Sequence, residues 1–154
     1  MKIGIADTTF SRVNMAEFVL NEIKKNSGYA TERYTVPGIK DLPVACKILF
    51  ERYNCGIVLA LGMVGPKPVD KQCSHEASLG LQHVQLLVNK HILEVFVHTN
   101  EANNDKELYS IAKDRAEKHT LNALELIKDK TALAKNAGMG KRQGKKDEGP
   151  INIK

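Results

Sequence analysis

Two of the five histidines stand where an alternating strand–helix chain places groups that handle protons: His98 just past an apolar strand-like run, and His75 near the start of a helical stretch. Imidazole titrates near neutral pH, so either could pass a proton to or from a ligand, and either also fits a plain structural or solvated role. His83, His91 and His119 read as helix-surface or strand-end residues. Phe10 lies in the polar loop Asp7-Thr8-Thr9-Phe10-Ser11, where a ring either stacks on a planar heterocycle or staples the loop to the following helix. Asp41 is either a helix N-cap or an acceptor for ligand hydroxyls. Main-chain N–H and C=O groups at Gly62, Met63 and Val64 could read the edge of a flat ring, which points to an aromatic, uncharged ligand. No H-x-x-x-H or H-E-x-x-H spacing supports zinc. Gly62-Met63-Val64-Gly65 is not followed by the Lys-Ser or Lys-Thr of a phosphate loop, which argues against nucleotide hydrolysis.

These residues sit mostly on two loops inside Thr35 to Pro68. The first, Val36-Pro37-Gly38-Ile39-Lys40-Asp41-Leu42-Pro43, leaves a strand through a Pro-Gly turn and enters a helix with proline in its first turn, where the missing N–H does no harm. The second, Gly62-Met63-Val64-Gly65-Pro66-Lys67-Pro68, follows the apolar run Ile57 to Leu61. Around them the chain alternates. Strands are predicted at Lys2–Ala6, Tyr29–Val36, Gly56–Leu61 and His91–Val97, and helices at Val13–Asn26, Asp41–Tyr53, Cys73–Val88 and from Asn104 to Lys128, the last opening on a capping-box-like Asn104-Asp105-Lys106-Glu107. Four strand–helix units with short connections predict an α/β three-layer αβα sandwich on a four-stranded parallel sheet, strand order 2-1-3-4. The chain then reverses direction between strands 1 and 3, so a ligand crevice is expected at their carboxyl ends, where all three named loops meet.

Composition bounds the function. The chain has 154 residues, 42% apolar and 27% charged, and reads as one α/β domain over 1–137 followed by a basic, flexible tail over 138–154. Net charge is +5, of which the tail carries +3, which argues against a nucleic-acid face on the folded body, although the tail alone could attract a polyanion. No apolar run approaches a membrane span, and a cytoplasmic location is expected. Cys46, Cys55 and Cys73 are odd in number and lack C-x-x-C spacing, so they read as reduced structural thiols.

Taken in order, strand 1 with Phe10, the Val36-Pro37-Gly38 turn with Asp41 and Pro43, the run into Ala60-Leu61-Gly62, the Glu76-Ala77-Ser78-Leu79-Gly80-Leu81 helix segment and the Val97-His98-Thr99 strand end resemble the lumazine synthase family over about Lys2 to Lys128. The chain is most similar to the archaeal-type riboflavin synthases of that flavodoxin-like fold. It departs from lumazine synthases in two places. Gly65 to Asp70 is short and carries no histidine before His75, and Asn100 to Asp105 is altered beside the expected phosphate site, where Arg115 does not take the arginine's place. The resemblance implies a transferase, riboflavin synthase, that dismutates two 6,7-dimethyl-8-ribityllumazine molecules into riboflavin and 5-amino-6-(ribitylamino)uracil. The alternatives are lumazine synthase itself and a non-enzymatic flavodoxin-like binding module.

On that resemblance Phe10, Gly38, Ile39 and the 62–66 loop, including Pro66, hold one lumazine. Asp41 with Ser11 binds its ribityl chain, and Phe96, Val97 and Thr99 of an adjacent subunit help hold the second. His75 or His98 assists proton transfer. The resemblance further implies a homopentamer with sites between subunits, no organic cofactor, and a divalent cation such as magnesium. The alternation in Pro150-Ile151-Asn152-Ile153 suits a short strand docked on a neighbour.

Overall fold

The computed structural model describes residues 1–153 and arranges them as β1 (Lys2–Thr8), α1 (Met15–Asn26), β2 (Ala30–Val36), α2 (Leu42–Glu51), β3 (Cys55–Val64), α3 (Pro68–Val88), β4 (Ile92–His98) and α4 (Asp105–Lys128). Short 3-10 turns cover Ile39–Asp41, Thr99–Glu101 and Ala134–Asn136. All strand pairings are parallel and the order is β2-β1-β3-β4, as the alternation predicts.

Strand periodicity divides the core in two. Ile3 and Ile5 of β1, Ile57, Leu59, Leu61 and Met63 of β3, and Leu93, Val95 and Val97 of β4 pack with the inner stripes of α1 and α4. The alternate residues, Ala6, Val58, Ala60, Val64, Ile92 and Phe96, pack with α2 and α3. β3 is central and buried on both faces, which is why it reads as a continuous apolar run rather than an alternation.

Most boundaries shift by one or two residues from the sequence expectation, and three differences bear on the site. β3 continues through Gly62, Met63 and Val64, so these residues are strand rather than loop. A glycine is tolerated inside this strand because neighbours fill its missing side chain: a Cβ on Gly62 would lie 2.8 Å from Ile39 Cγ2 and 2.8 Å from Phe96 Cε1. α3 starts at Pro68, five residues early. Proline is compatible with the first helical position, and Asp70 turns back to accept the Lys67 N–H at 3.0 Å. Asp41 ends a 3-10 turn and makes no side-chain cap, so α2 opens on Leu42 with Pro43 second. The capping expectation at α4 holds: Asn104 Oδ1 accepts the Glu107 N–H at 2.9 Å, and Glu107 Oε2 accepts the Asn103 N–H at 2.8 Å.

Candidate active site

At the switch point between β1 and β3, Phe10, Pro37, Gly38, Ile39, Asp41, Val64, Gly65 and Cys73 border a cleft of about 280 Å³. The loop after β1 is tied to the loop after β2: the Thr9 N–H donates to Val36 O at 2.9 Å, and Thr9 Oγ1 to Pro37 O at 3.3 Å. Beneath them Asp7 is buried and accepts from Arg33 Nη2 at 2.5 Å and Thr35 Oγ1 at 2.7 Å, fixing the exit of β1 against β2. This scaffold leaves Phe10 59% exposed at the rim, so the ring is not stapled into the core. An apolar wall with a presented aromatic face suits a flat, uncharged ring. The one strong charge pair at the edge is self-contained, Lys40 Nζ lying 2.7 Å from Glu76.

A second cavity, of about 760 Å³, runs along the α3 side of the edge strand β4. Glu94, Phe96 and His98 of β4 border it with Ser78, Gln82 and Gln85 of α3, Arg115 and His119 of α4, and Gln143 and Lys145 beyond the last helix. The two spaces are neighbours across Gly62, where Ile39 of the first and Phe96 of the second both fill the missing side chain.

Electrostatics in the larger cavity centre on Arg115. Its guanidinium is buried and forks onto Glu101, with Nη1 2.7 Å from Oε2 and Nη2 2.8 Å from Oε1. Nη1 also donates to Phe96 O at 2.8 Å, and Nε to Gly144 O at 3.3 Å. This fork holds the Glu101 carboxyl down to about 2, against the cost of its partial burial. Burial, and next the Arg115 charge, push His119 down to about 4, so its ring is neutral at pH 7; Nδ1 is buried with no hydrogen-bond partner among the described residues. Burial pushes Glu94 upward, opposed by a hydrogen bond from Ser78.

The structure brings Phe10, Gly38, Ile39, Asp41, Met63 and Val64 together around the smaller cleft. Met63 has its side chain in the opposite core, which leaves its main chain as the part facing the ligand space. Ser11 instead donates to Val13 O at 2.7 Å within its own loop, Pro66 is exposed beyond the cleft, and Gly62 lies beneath the Ile39–Phe96 contact. Phe96 and His98 border the larger cavity, whereas Val97 is buried in the α1–α4 core. Thr99 keeps a buried hydroxyl with no hydrogen-bond partner among the described residues. His75 is exposed on α3 and borders neither space.

Sequence reasoning passed over Glu94, set Arg115 aside as not matching a phosphate-binding arginine, and read His119 as a helix-surface or strand-end residue, whereas His119 is buried. A usable signal existed for each. Glu94 is the single acid inside the apolar run Ile92–Val97, and Arg115 and His119 are four apart on the same helical stripe as Leu108, Ala112 and Ala123, which periodicity turns inward.

Among the described residues no group of three histidine, cysteine, aspartate or glutamate side chains could hold a metal ion. Of the carboxylates bordering the cavities, Glu101 is committed to Arg115 and Asp70 to the Lys67 N–H, while Glu94 and Asp41 stand apart in different cavities. One chain therefore offers no preformed all-protein cage for magnesium among the described residues.

Residues 1–131 match the family model described as 6,7-dimethyl-8-ribityllumazine synthase. A protein of Methanothermobacter thermautotrophicus named riboflavin synthase is 50% identical over 152 residues, covering 98% of this chain and 99% of its own length. Riboflavin synthases of Archaeoglobus fulgidus and Aeropyrum pernix are 49% and 46% identical over 151 residues, covering 98% and 97% of this chain. With a fold, a switch-point cleft and a family model that agree from the first strand to the last helix, the chain belongs to the 6,7-dimethyl-8-ribityllumazine synthase family.

Proposed function

We propose that the chain is a riboflavin synthase, which combines two molecules of 6,7-dimethyl-8-ribityllumazine into riboflavin and 5-amino-6-(ribitylamino)uracil. The observation that carries this choice over lumazine synthase is Arg115. It is the one arginine bordering either cavity among the described residues, and Glu101, Phe96 O and Gly144 O occupy four of its five N–H donors. Arginine's fork is the group best suited to grip a phosphate, and here it is neutralised by a carboxylate. Lys71 and Lys145 remain in the larger cavity as single point charges. A site without a free guanidinium fits two uncharged pteridine rings better than a ring and a sugar phosphate. The riboflavin synthases matched at about half identity over nearly their whole length support the same choice.

The reaction moves a four-carbon unit, both pyrazine carbons with their methyl groups, from one lumazine to the other. Atoms and electrons balance between two identical substrates and the two products, so no oxidant or reductant is required. The lumazine C7 methyl is acidic because its anion delocalises into the ring. Little is therefore asked of a base, and holding two rings face to face supplies the larger share; positioning of that kind contributes about 7–11 kcal/mol in well-oriented reactions. Phe10, Gly38, Ile39 and the main chain at 63–64 hold one ring, and Asp41 receives its ribityl hydroxyls. Phe96, His98 and Thr99 of an adjacent copy approach the second, His98 being the imidazole placed to move the proton.

Such a site needs an oligomer, and a pentamer is the proposed state. Val69, Leu79, Leu86 and Leu87 stand exposed along α3, and Ile151 and Ile153 at the C-terminal end are almost wholly exposed. Apolar area of that extent is what a subunit interface would cover. A chain ending at Gly149 that kept the native mass of the full chain would remove Pro150–Ile153 from that interface.

Incubation with 6,7-dimethyl-8-ribityllumazine alone decides the activity. Riboflavin is expected as product. Formation of lumazine from the aminouracil and a butanone phosphate, without riboflavin from lumazine, would assign the sister activity, and neither product would leave a binding module. If His75→Ala and His98→Ala each kept wild-type turnover, neither imidazole would move the proton.

A further inference from the structure

Residues 138–153 form neither helix nor strand, yet Gly144 among them is buried. The segment is folded back on itself: the Glu148 N–H donates to Gly140 O at 2.9 Å, the Arg142 N–H to Asp147 Oδ1 at 3.0 Å, and the Arg142 guanidinium pairs with Glu148. At the apex Gly144 lies on α4 with φ +72°, and a Cβ there would meet His119 Nε2 at 2.5 Å and Arg115 Cγ at 2.8 Å. Both the left-handed backbone and the close approach call for glycine. Gln143 and Lys145, on either side of it, border the larger cavity.

The contact continues inward as a chain of hydrogen bonds. Gly144 O accepts from Arg115 Nε at 3.3 Å, Arg115 forks onto Glu101, and Glu101 Oε2 accepts the His98 N–H at 2.9 Å. The apex is thus three links from the backbone of His98. Arg115 and Glu101 are each needed by more than one partner, so removing one link leaves a buried charged group short of donors or acceptors. The match to the Methanothermobacter thermautotrophicus riboflavin synthase covers 98% of this chain, which places nearly all of the segment inside the shared length.

Resting on the riboflavin synthase reading, we propose that residues 140–148 are a strap that positions His98 for the proton step, with Gly144 as the positioning residue that locks Arg115 and, through Glu101, the end of β4. The strap is also part of the wall of the substrate space, because Gln143 and Lys145 line the larger cavity.

The test is Gly144→Val in the full-length protein, read three ways. Trypsin cleavage after Lys145 and Lys146 is expected to accelerate by about tenfold or more, since an undocked segment is cut from its open state. The His98 ring resonance in a histidine-labelled NMR spectrum should move while that of His75 stays in place. The kcat for riboflavin formation should fall about tenfold with KM changed less than about threefold, the pattern of lost positioning rather than lost binding. A chain ending at Gly138 should lose kcat to the same extent, and Lys113→Ala, exposed on α4, outside the strap and bordering neither cavity, should match wild type in kcat and KM. Trypsin resistance equal to wild type in Gly144→Val would overturn the docking. A released strap with unmoved His98 resonance or unchanged kcat would overturn the positioning role. If the wild-type protein makes no riboflavin, the enzymatic reading falls, while the protease and NMR readouts still decide the strap.

Discussion

Replacing Glu101 by glutamine tests the electrostatic centre of the larger cavity without changing side-chain volume. The carboxylate accepts both arms of the Arg115 fork and the His98 N–H, and its titration drops from the usual 4.5 to about 2. A shift of this size corresponds to about 3 kcal/mol of native-state stabilisation by linkage. The glutamate side chain is 26% exposed, so solvent screening reduces the expected loss to about 2 kcal/mol. The sign follows from the direction of the shift. A carboxyl depressed in the folded state stabilises fully above its unfolded value near 4.5, and that contribution disappears as pH falls toward 2. Glu101→Gln should therefore lie about 2 kcal/mol below wild type at pH 7, equivalent to roughly 4–8 °C in Tm for a chain of this size, and the gap should close between pH 4.5 and pH 2. Urea unfolding at fixed protein concentration across that range measures it. A gap that stays constant with pH would show that the loss is one of packing, and the ion-pair account would be wrong.

Gly62→Ala forces a methyl between Ile39 and Phe96, each about 2.8 Å from the new carbon, and overpacking of this kind costs about 1–3 kcal/mol; thermal melting should show the loss, and KM for lumazine should rise because both displaced side chains border ligand space. Phe10→Ala removes a ring that is mostly solvent-exposed, so Tm should stay within about 1 °C while KM rises about tenfold if the ring stacks on substrate; unchanged KM would leave Phe10 without a binding role. Cysteine labelling at pH 8 should give one fast thiol, half-buried Cys73, and two slow ones, because burial pushes the Cys55 thiol up to about 11 and Cys46 further still; three equal rates would contradict the buried placement. His119→Phe should flatten acid destabilisation between about pH 6.5 and 4, since the native ring stays neutral there while the unfolded ring takes up a proton; urea midpoints across that window check it.

The smaller cleft was largely legible in the sequence. Phe10 in a polar loop, Pro37-Gly38 after a strand and the glycines near the end of β3 are local signals, and each is carried by a few adjacent residues. The errors there are boundary errors with a local cause. Gly62 looked like a strand terminator because its tolerance inside β3 comes from Ile39 and Phe96, which lie 23 residues before it and 34 after it. Ser11 donates its hydroxyl proton to Val13 O two residues away, which leaves the oxygen as an acceptor toward a ligand. The larger cavity was hardly legible at all. Besides His98 and Phe96, only the altered Asn100–Asp105 segment pointed toward it, since Arg115 and His119 fall on a stripe whose other members are helix core.

What the sequence alone determined was the alternation of strands and helices, the parallel sheet with its order, and the position of the switch-point crevice. Those follow from hydrophobic period, turn chemistry and the handedness of crossovers, which act over a turn or a strand at a time. Tertiary structure decided the electrostatics. Arg115 reaches Glu101 across 14 residues and Gly144 across 29, and whether a buried guanidinium meets a carboxylate, a carbonyl or a ligand depends on ångström-level placement that local patterns do not encode. Short-range forces select the elements, but the charges inside a low-dielectric interior are fixed only when those elements close upon one another.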